Sequence, residues 1–189
     1  MTDLTVPFRD FVGFFERARI PYVLMGGMAV AAHGLPRPTH DVDFTIALPR
    51  ERLSDLYETA TEAGYTVPEA FEGGWVDEVA GMPLVRVQTW VRGKTIDIDI
   101  FLAESRYQQE LLKRKVRVHV EGLEAWLVSP EDLILLKLIA GRPRDYGDIV
   151  DILFVQGQLD ESYLRRWAAP LGIADRLEKA LRDAKEQTQ

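Results

Sequence analysis

The stretch Met25–Ile46, MGGMAVAAHGLPRPTHDVDFTI, decides how this 189-residue chain is read. It grows out of a short apolar run, Tyr22 to Met25, with the composition of a buried strand. Gly26 and Gly27 then let the backbone turn tightly and come close to a ligand. The small apolar residues Met28 to His33 suit a short helix, whose first N–H groups would face an anion held over the glycines. Asp41 and Asp43 follow on a second strand, VDFTIAL, where side chains at i and i+2 share one face. Taken alone, a Gly-Gly pair is a turn and an Asp-x-Asp pair is a solvated strand end. Together they imply more, because Asp41 and Asp43 flank a single valine in an otherwise apolar strand, where two carboxylates repel each other and lose hydration. A divalent cation would resolve that repulsion.

A third carboxylate lies downstream. Leu84 to Leu102 reads as a hairpin turning at Arg92-Gly93-Lys94. In its second strand, TIDIDIFL, strict alternation puts Thr95, Asp97, Asp99 and Phe101 on one face, and Ile96, Ile98, Ile100 and Leu102 on the core face. If this strand lies beside the Asp41/Asp43 strand, Asp99 or Asp97 completes a three-carboxylate cluster. Hard oxygen ligands of this kind suit Mg²⁺ or Mn²⁺, which also bind substrate phosphates. For Asp97 taken singly, a wet acidic strand face is the simpler reading.

Composition sets the frame. With 47% hydrophobic residues the chain can bury one core of ordinary size, so a single domain is expected over 1–189, with a core to about 128 and a helical part from about 129. Cysteine is absent, which rules out disulfides and thiolate metal sites. No secretory signal and no apolar run long enough to span a membrane is visible, so a cytoplasmic location is expected. The net charge of −7 argues against a general nucleic-acid coat. The compact basic run Lys113–Arg117 reads either as a local RNA contact or, more simply, as a solvated helix end running into a strand.

Periodicity supplies the remaining elements. Phe8, Phe11, Val12, Phe15 and Ala18 mark one amphipathic helix, and Leu53, Leu56, Tyr57, Ala60 and Ala63 mark a second that Gly64 ends. Thr66 to Pro83 reads as an irregular connection, either part of an acceptor pocket or a plain surface loop. Lys115 to Val128 reads as two short strands around Gly122. From Ser129 the chain is helical, with Ser129 as N-cap, Pro130 in the first turn and Gly141 at the end. Lys137 is the one charge within Leu133 to Ile139, and is either snorkelling past the core or reaching an anion. Asp145 reads as a cap of the next helix with Asp148 in its first turn, and Ile173 to Gln187 as a last amphipathic helix.

The order Gly-Gly, Asp-x-Asp, then one Asp on a later strand resembles the nucleotidyltransferase superfamily that includes DNA polymerase beta and kanamycin nucleotidyltransferase. GGMAVAAHGLPRPTHDVDF, with His33-Gly34, Arg37 and Thr39, and SPEDLILLKLIAGRPRDYGDIVDI, with Lys137 and Arg142-x-x-Asp145, are similar to the bacterial branch typified by the AbiEii toxin. The resemblance covers residues 20 to 155. It implies an α/β (α+β) fold, a mixed sheet flanked by helices with a C-terminal helical part. It also implies transfer of a nucleoside monophosphate from an NTP to a hydroxyl. In that scheme Asp41 and Asp43 hold Mg²⁺ on the triphosphate, and Asp99 joins a second Mg²⁺ or takes the acceptor's proton. Gly26, Gly27 and Lys137 steady the phosphates, with Thr39, Arg37, Asp97 and Asp145 in secondary roles. The acceptor stays open among a tRNA end, a protein hydroxyl and a small molecule, and a toxin of this kind would have an antitoxin protein as partner. Many active superfamily members carry Gly-Ser where this chain has Gly26-Gly27, which leaves backbone N–H groups to hold the phosphates here. Two rival readings are a catalytically silent binding module and an aminoglycoside-type enzyme, the latter ranked lower because the chain is short for that role.

Overall fold

A computed structural model describes residues 3–74, 76–79 and 82–187. Its centre is the unit opened by the glycine motif: β1 (Tyr22–Met25), α2 (Gly26–His33) and β2 (Asp41–Ile46). The helix begins at Gly26 rather than at Met28. Gly26 takes φ of +64°, a left-handed conformation that turns the chain from strand into helix with no intervening residue. β1 and β2 are antiparallel, and β2 continues into a parallel pairing with β5 (Lys94–Leu102). The hairpin partner of β5 is β4 (Met82–Val91). Beyond β1 lies the pair β7 (Leu123–Leu127) and β6 (Val116–Val120), and beyond β4 lies β3 (Val76–Val79). The described residues thus form one mixed seven-stranded sheet in the order β3-β4-β5-β2-β1-β7-β6.

β3 corrects the expectation of an irregular Thr66–Pro83 connection. Val76–Val79 pairs with β4, Thr66 bridges to Gln88, and Phe71 is buried in a single turn of 3-10 helix. A four-residue edge strand is too short to announce itself by alternation. Trp75 of the Gly73-Gly74-Trp75 run lies outside the described residues.

The two faces of β2 are used differently. On one, α1 (Thr5–Ala18) docks through Phe8, Phe11 and Phe15, spaced to share one helical face. Phe15 meets Phe44 edge-on at 5.2 Å between ring centres and Tyr22 at 5.4 Å, which closes an aromatic layer over the sheet. Because β2 alternates, Asp41 and Asp43 face the other side, where α2 and the C-terminal helices stand. These are α5 (Pro130–Ala140), α6 (Pro143–Gln156), α7 (Glu161–Ala168) and α8 (Ala174–Gln187), with α2 contacting both α5 and α6. The helix signals hold at α5: the Ser129 hydroxyl accepts the Asp132 N–H, and Gly141 ends the helix at φ +63°. α3 (Leu53–Glu62) and α4 (Arg106–Lys113) complete the set, α4 opening on a reciprocal capping box between Ser105 and Gln108. None of the described helices is long and apolar enough to cross a membrane.

Candidate active site

Register brings the carboxylates together. β2 and β5 run parallel with Asp41 opposite Asp97 and Asp43 opposite Asp99, while Met25, the last residue before the glycines, lies opposite Asp43 on the other side. Asp41, Asp43 and Asp99 line one cleft of about 490 Å³ together with Gly26, Arg86, Lys137 and Arg142. Its other wall is apolar, built by residues that include Met82, Leu84, Phe101, Leu133 and Leu136.

Each aspartate has a different environment. Asp41 accepts the Thr39 hydroxyl at 2.6 Å. Asp99 is held by a forked pair from Arg86, Nε to Oδ1 at 2.6 Å and Nη2 to Oδ2 at 2.9 Å. Burial raises the Asp99 carboxyl above its ordinary range, with Arg86 opposing. Asp97 accepts from the Gln88 amide at 2.7 Å, has Arg86 at 3.6 Å, and does not line the cleft. Asp43 has no hydrogen-bond or ion-pair partner among the described residues. Burial, reinforced by the neighbouring charges of Asp41 and Asp99, pushes its carboxyl up to about 7, against the pull of Lys137 and Arg142.

The glycine pair has a steric reason as well as a conformational one. A Cβ on Gly26 would collide with the Asp43 carboxylate and stand 2.8 Å from its Cβ; one on Gly27 would collide with the Thr39 hydroxyl and stand 2.6 Å from its Cβ. Each glycine is a socket for a side chain approaching from β2 or the segment before it.

Lys137 is buried and engaged twice, with Asp145 at 3.0 Å and Asp148 at 2.8 Å. Arg37 forks onto Asp148 at 2.6 and 2.8 Å, and Arg142 reaches Asp145 at 2.9 Å. The result is a chain of alternating charge, Arg37–Asp148–Lys137–Asp145–Arg142, of which Lys137 and Arg142 line the cleft. Burial pushes both aspartates up, but the arginine and lysine donors outweigh it, so both carboxyls lie below the ordinary range. Asp145 does cap α6, accepting the Arg142 N–H, whereas Asp148 lies a turn further in and serves Lys137 and Arg37.

Arg86 is the cleft residue that sequence reasoning passed over, although the sequence carries a signal for it. Counting back from the Arg92-Gly93 turn pairs Arg86 with Asp99 across the hairpin. A cation between two valines of the strand LVRVQTWV, opposite a candidate catalytic acid, is the mark of a paired carboxylate.

Among the described residues no group of three or more His, Cys, Asp or Glu side chains is arranged to cage a metal by itself. The donor set nonetheless fits Mg²⁺, which binds through one or two carboxylates with waters and substrate phosphates rather than in an all-protein cage. Asp43, unpartnered beside Asp41, supplies that pair of oxygen donors. Asp99, forked to Arg86, does not join them in this arrangement.

The sheet, the helix sprung from the glycine pair and the carboxylates on adjacent strands define a nucleotidyltransferase fold. A family model described as a nucleotidyltransferase of unknown function (DUF6036) matches residues 14–180, and the chain belongs to that family. Among solved structures it is similar to an antigenic nucleotidyltransferase-like protein from Paracoccidioides brasiliensis, with 18% identity, 95% of this chain and 92% of that one covered, and a TM-score of 0.53. The antibiotic-resistance factor ANT(2'')-Ia is matched at 14% identity, over 98% of this chain and 97% of that one, with a TM-score of 0.57. The lincosamide antibiotic adenylyltransferase LnuA, in its lincomycin-bound structure, is matched at 15% identity over 82% of this chain and 98% of that one, with a TM-score of 0.52. No curated protein sequence matches significantly. Two antibiotic-linked proteins are therefore matched over nearly their whole chains. The expectation that this chain is too short for an enzyme of that kind falls.

Proposed function

We propose that this protein transfers a nucleoside monophosphate from an NTP to a hydroxyl acceptor, with pyrophosphate leaving. The observation that carries the reading is Asp43: a partly buried carboxylate without a partner, set over Gly26 and in register with Asp99. A buried charge left unpaired costs stability, and a fold keeps one where a ligand completes it. When bound, Mg²⁺ would polarise the reacting phosphate and offset the charge that develops there. Asp41 and Asp43 would hold the metal-bound triphosphate, with Asp41 kept in place by Thr39. The first N–H groups of α2 lie beside the glycine sockets and would face the phosphates. Arg142, half exposed at the cleft mouth, would meet the leaving phosphates. Lys137, tied to Asp145 and Asp148, would act as a fixed positive centre behind them rather than as a moving arm. Asp99 is pinned by Arg86 yet keeps lone pairs free, and would accept the acceptor's proton.

Several observations narrow the acceptor. In the basic run, Arg114 turns inward to Glu131 and the Tyr163 ring, Lys115 and Arg117 lie over Trp126, and Lys113 meets Glu110. With a net charge of −7 besides, this favours a protein hydroxyl or a small molecule over a tRNA end. In the cleft, Arg86 is forked to Asp99, while Lys137 and Arg142 are already paired with Asp145 and Asp148, so Asp41 and Asp43 have no cation of their own among the described residues. The apolar wall suits an acceptor with a greasy body. The AbiEii-type toxin reading, which leaves the acceptor class open, adds an antitoxin partner and is part of the proposal. We place the reaction in the cytoplasm, where NTP and Mg²⁺ are supplied.

The test is incubation with each labelled NTP and Mg²⁺, with mass spectrometry of protein, tRNA and a panel of hydroxylated small molecules. Label transferred to a hydroxyl supports the reading. Tight Mg²⁺–NTP binding without transfer to any acceptor class would instead indicate a silent binding module.

A further inference from the structure

The second glycine of the motif poses a question that the fold answers. In the Gly-Ser form of this motif a serine hydroxyl stands at the position of Gly27. Here the space above Gly27 is taken by Thr39, which arrives from the segment before β2, and a Cβ built on Gly27 would stand 2.6 Å from the Thr39 Cβ and closer still to its hydroxyl oxygen. Two side chains cannot share that volume. The hydroxyl that fills it lies against the first turn of α2, where N–H groups are free of helical partners.

We propose that Thr39 is the phosphate-contacting hydroxyl of this protein, supplied from the β2 side and replacing the one that a serine at position 27 would carry. This rests on the nucleotidyl-transfer reading and deepens it. In the free protein the hydroxyl proton points to Asp41 Oδ1 at 2.6 Å, which holds that carboxylate for its ligand. A triphosphate held over the glycines would offer this hydroxyl a second acceptor beside Asp41, and its one proton can turn to either. Gly27 is thus glycine because of Thr39, and the two positions are exchangeable as a pair but not singly.

The experiment measures binding of an α,β-methylene NTP with Mg²⁺ by titration calorimetry, with a melting curve for each protein to register folding. Thr39→Val keeps the volume and removes the hydroxyl, and should weaken binding about 10-fold, the usual worth of one such hydrogen bond to a charged group. Gly27→Ser should weaken it at least as much, because its Cβ displaces Thr39. The double variant Gly27→Ser with Thr39→Gly carries the hydroxyl on the opposite backbone position and removes the Thr39 Cβ that would stand 2.6 Å from the new one, and should return to within about threefold of the original. That recovery is what a merely structural threonine would not give. If Gly27→Ser fails to fold, Thr39→Val and the double variant still decide. Unchanged binding by Thr39→Val, or a double variant as weak as the two singles combined, overturns the assignment while leaving nucleotide binding intact. Absence of binding by the unmodified protein overturns both this assignment and the proposed function.

Discussion

Asp132 and Asp43 both stand where burial penalises their charge, and the chain treats them in opposite ways. Asp132, fully buried at the start of α5, has a donor on each oxygen: the Ser129 hydroxyl at 2.8 Å and the Tyr163 hydroxyl at 2.6 Å, with the Arg114 guanidinium at 3.4 Å. Arg114 in turn lies over the Tyr163 ring at 3.8 Å, and the Tyr107 hydroxyl donates to the Asp132 backbone carbonyl. Asp43, in the cleft on β2, has only like charges and two more distant cations about it. Burial raises both carboxyls. The difference is that Asp132 is completed by the fold and ties α4, α5 and α7 together, whereas Asp43 is left for something from outside. A satisfied buried acid is architecture, and an unsatisfied one is a site.

The contrast can be broken most forcefully at Asp43. Asp43→Asn should reduce nucleotidyl transfer by about 10²–10³-fold or more, the scale of losing one preorganised electrostatic partner of a reacting phosphate. It should also raise the melting temperature of the free protein by a few degrees, since like-charge repulsion is relieved. A variant that melts lower would show that Asp43 is structural after all.

Asp132→Ala should do the reverse. Removing one member of a buried, bonded charge cluster costs about 3–5 kcal/mol, so unfolding in urea should show a large loss of stability. Nucleotide affinity of the folded fraction should stay within a factor of a few. Stability near the original value would mean that the donors around Asp132 re-pair without it.

Arg86 sharpens the comparison, because it decides whether Asp99 resembles Asp132 or Asp43. Arg86→Met leaves Asp99 without its fork and should destabilise the fold by about 1–3 kcal/mol. Asp99→Ala should eliminate transfer while Mg²⁺–NTP binding persists, and Asp97→Ala should lower transfer only modestly. Transfer that survives Asp99→Ala but vanishes in Asp97→Ala would reverse the register argument.

The smallest effect is the pH dependence. Folded Asp43 keeps its proton up to about 7, against 3.8 for an unperturbed aspartate, so its contribution to stability declines as pH rises through that window. Asp145 and Asp148, with lowered carboxyls, work in the opposite direction at lower pH. The clean measure is therefore the melting temperature of the unmodified protein minus that of Asp43→Asn between pH 5 and 8. It should fall as pH rises, and a flat difference would show that Asp43 is not held protonated.

How much was legible in the sequence differs from residue to residue. Alternation in TIDIDIFL put Asp97 and Asp99 on one face and the isoleucines in the core, and the caps at Ser129 and Gly141 bounded α5, because such signals depend only on neighbours along the chain. The resemblance carried by Gly26-Gly27, Asp41-x-Asp43 and Asp99 reached the fold and the family. The turn at Arg92-Gly93 contained the Arg86–Asp99 pairing, since a hairpin's register is set locally. Other relations bind residues far apart in sequence, and only the tertiary structure decided them. The parallel register of β2 against β5 chose Asp99 over Asp97 for the cleft. The packing of α5 against α6 and the segment before β2 turned Lys137 from a free arm into the middle of a five-member charge chain. The approach of Thr39 and Asp43 over the glycine pair showed why both positions lack a side chain. Pattern along a chain reports which face a residue is on, but which group it meets there depends on distances between segments that no local period encodes.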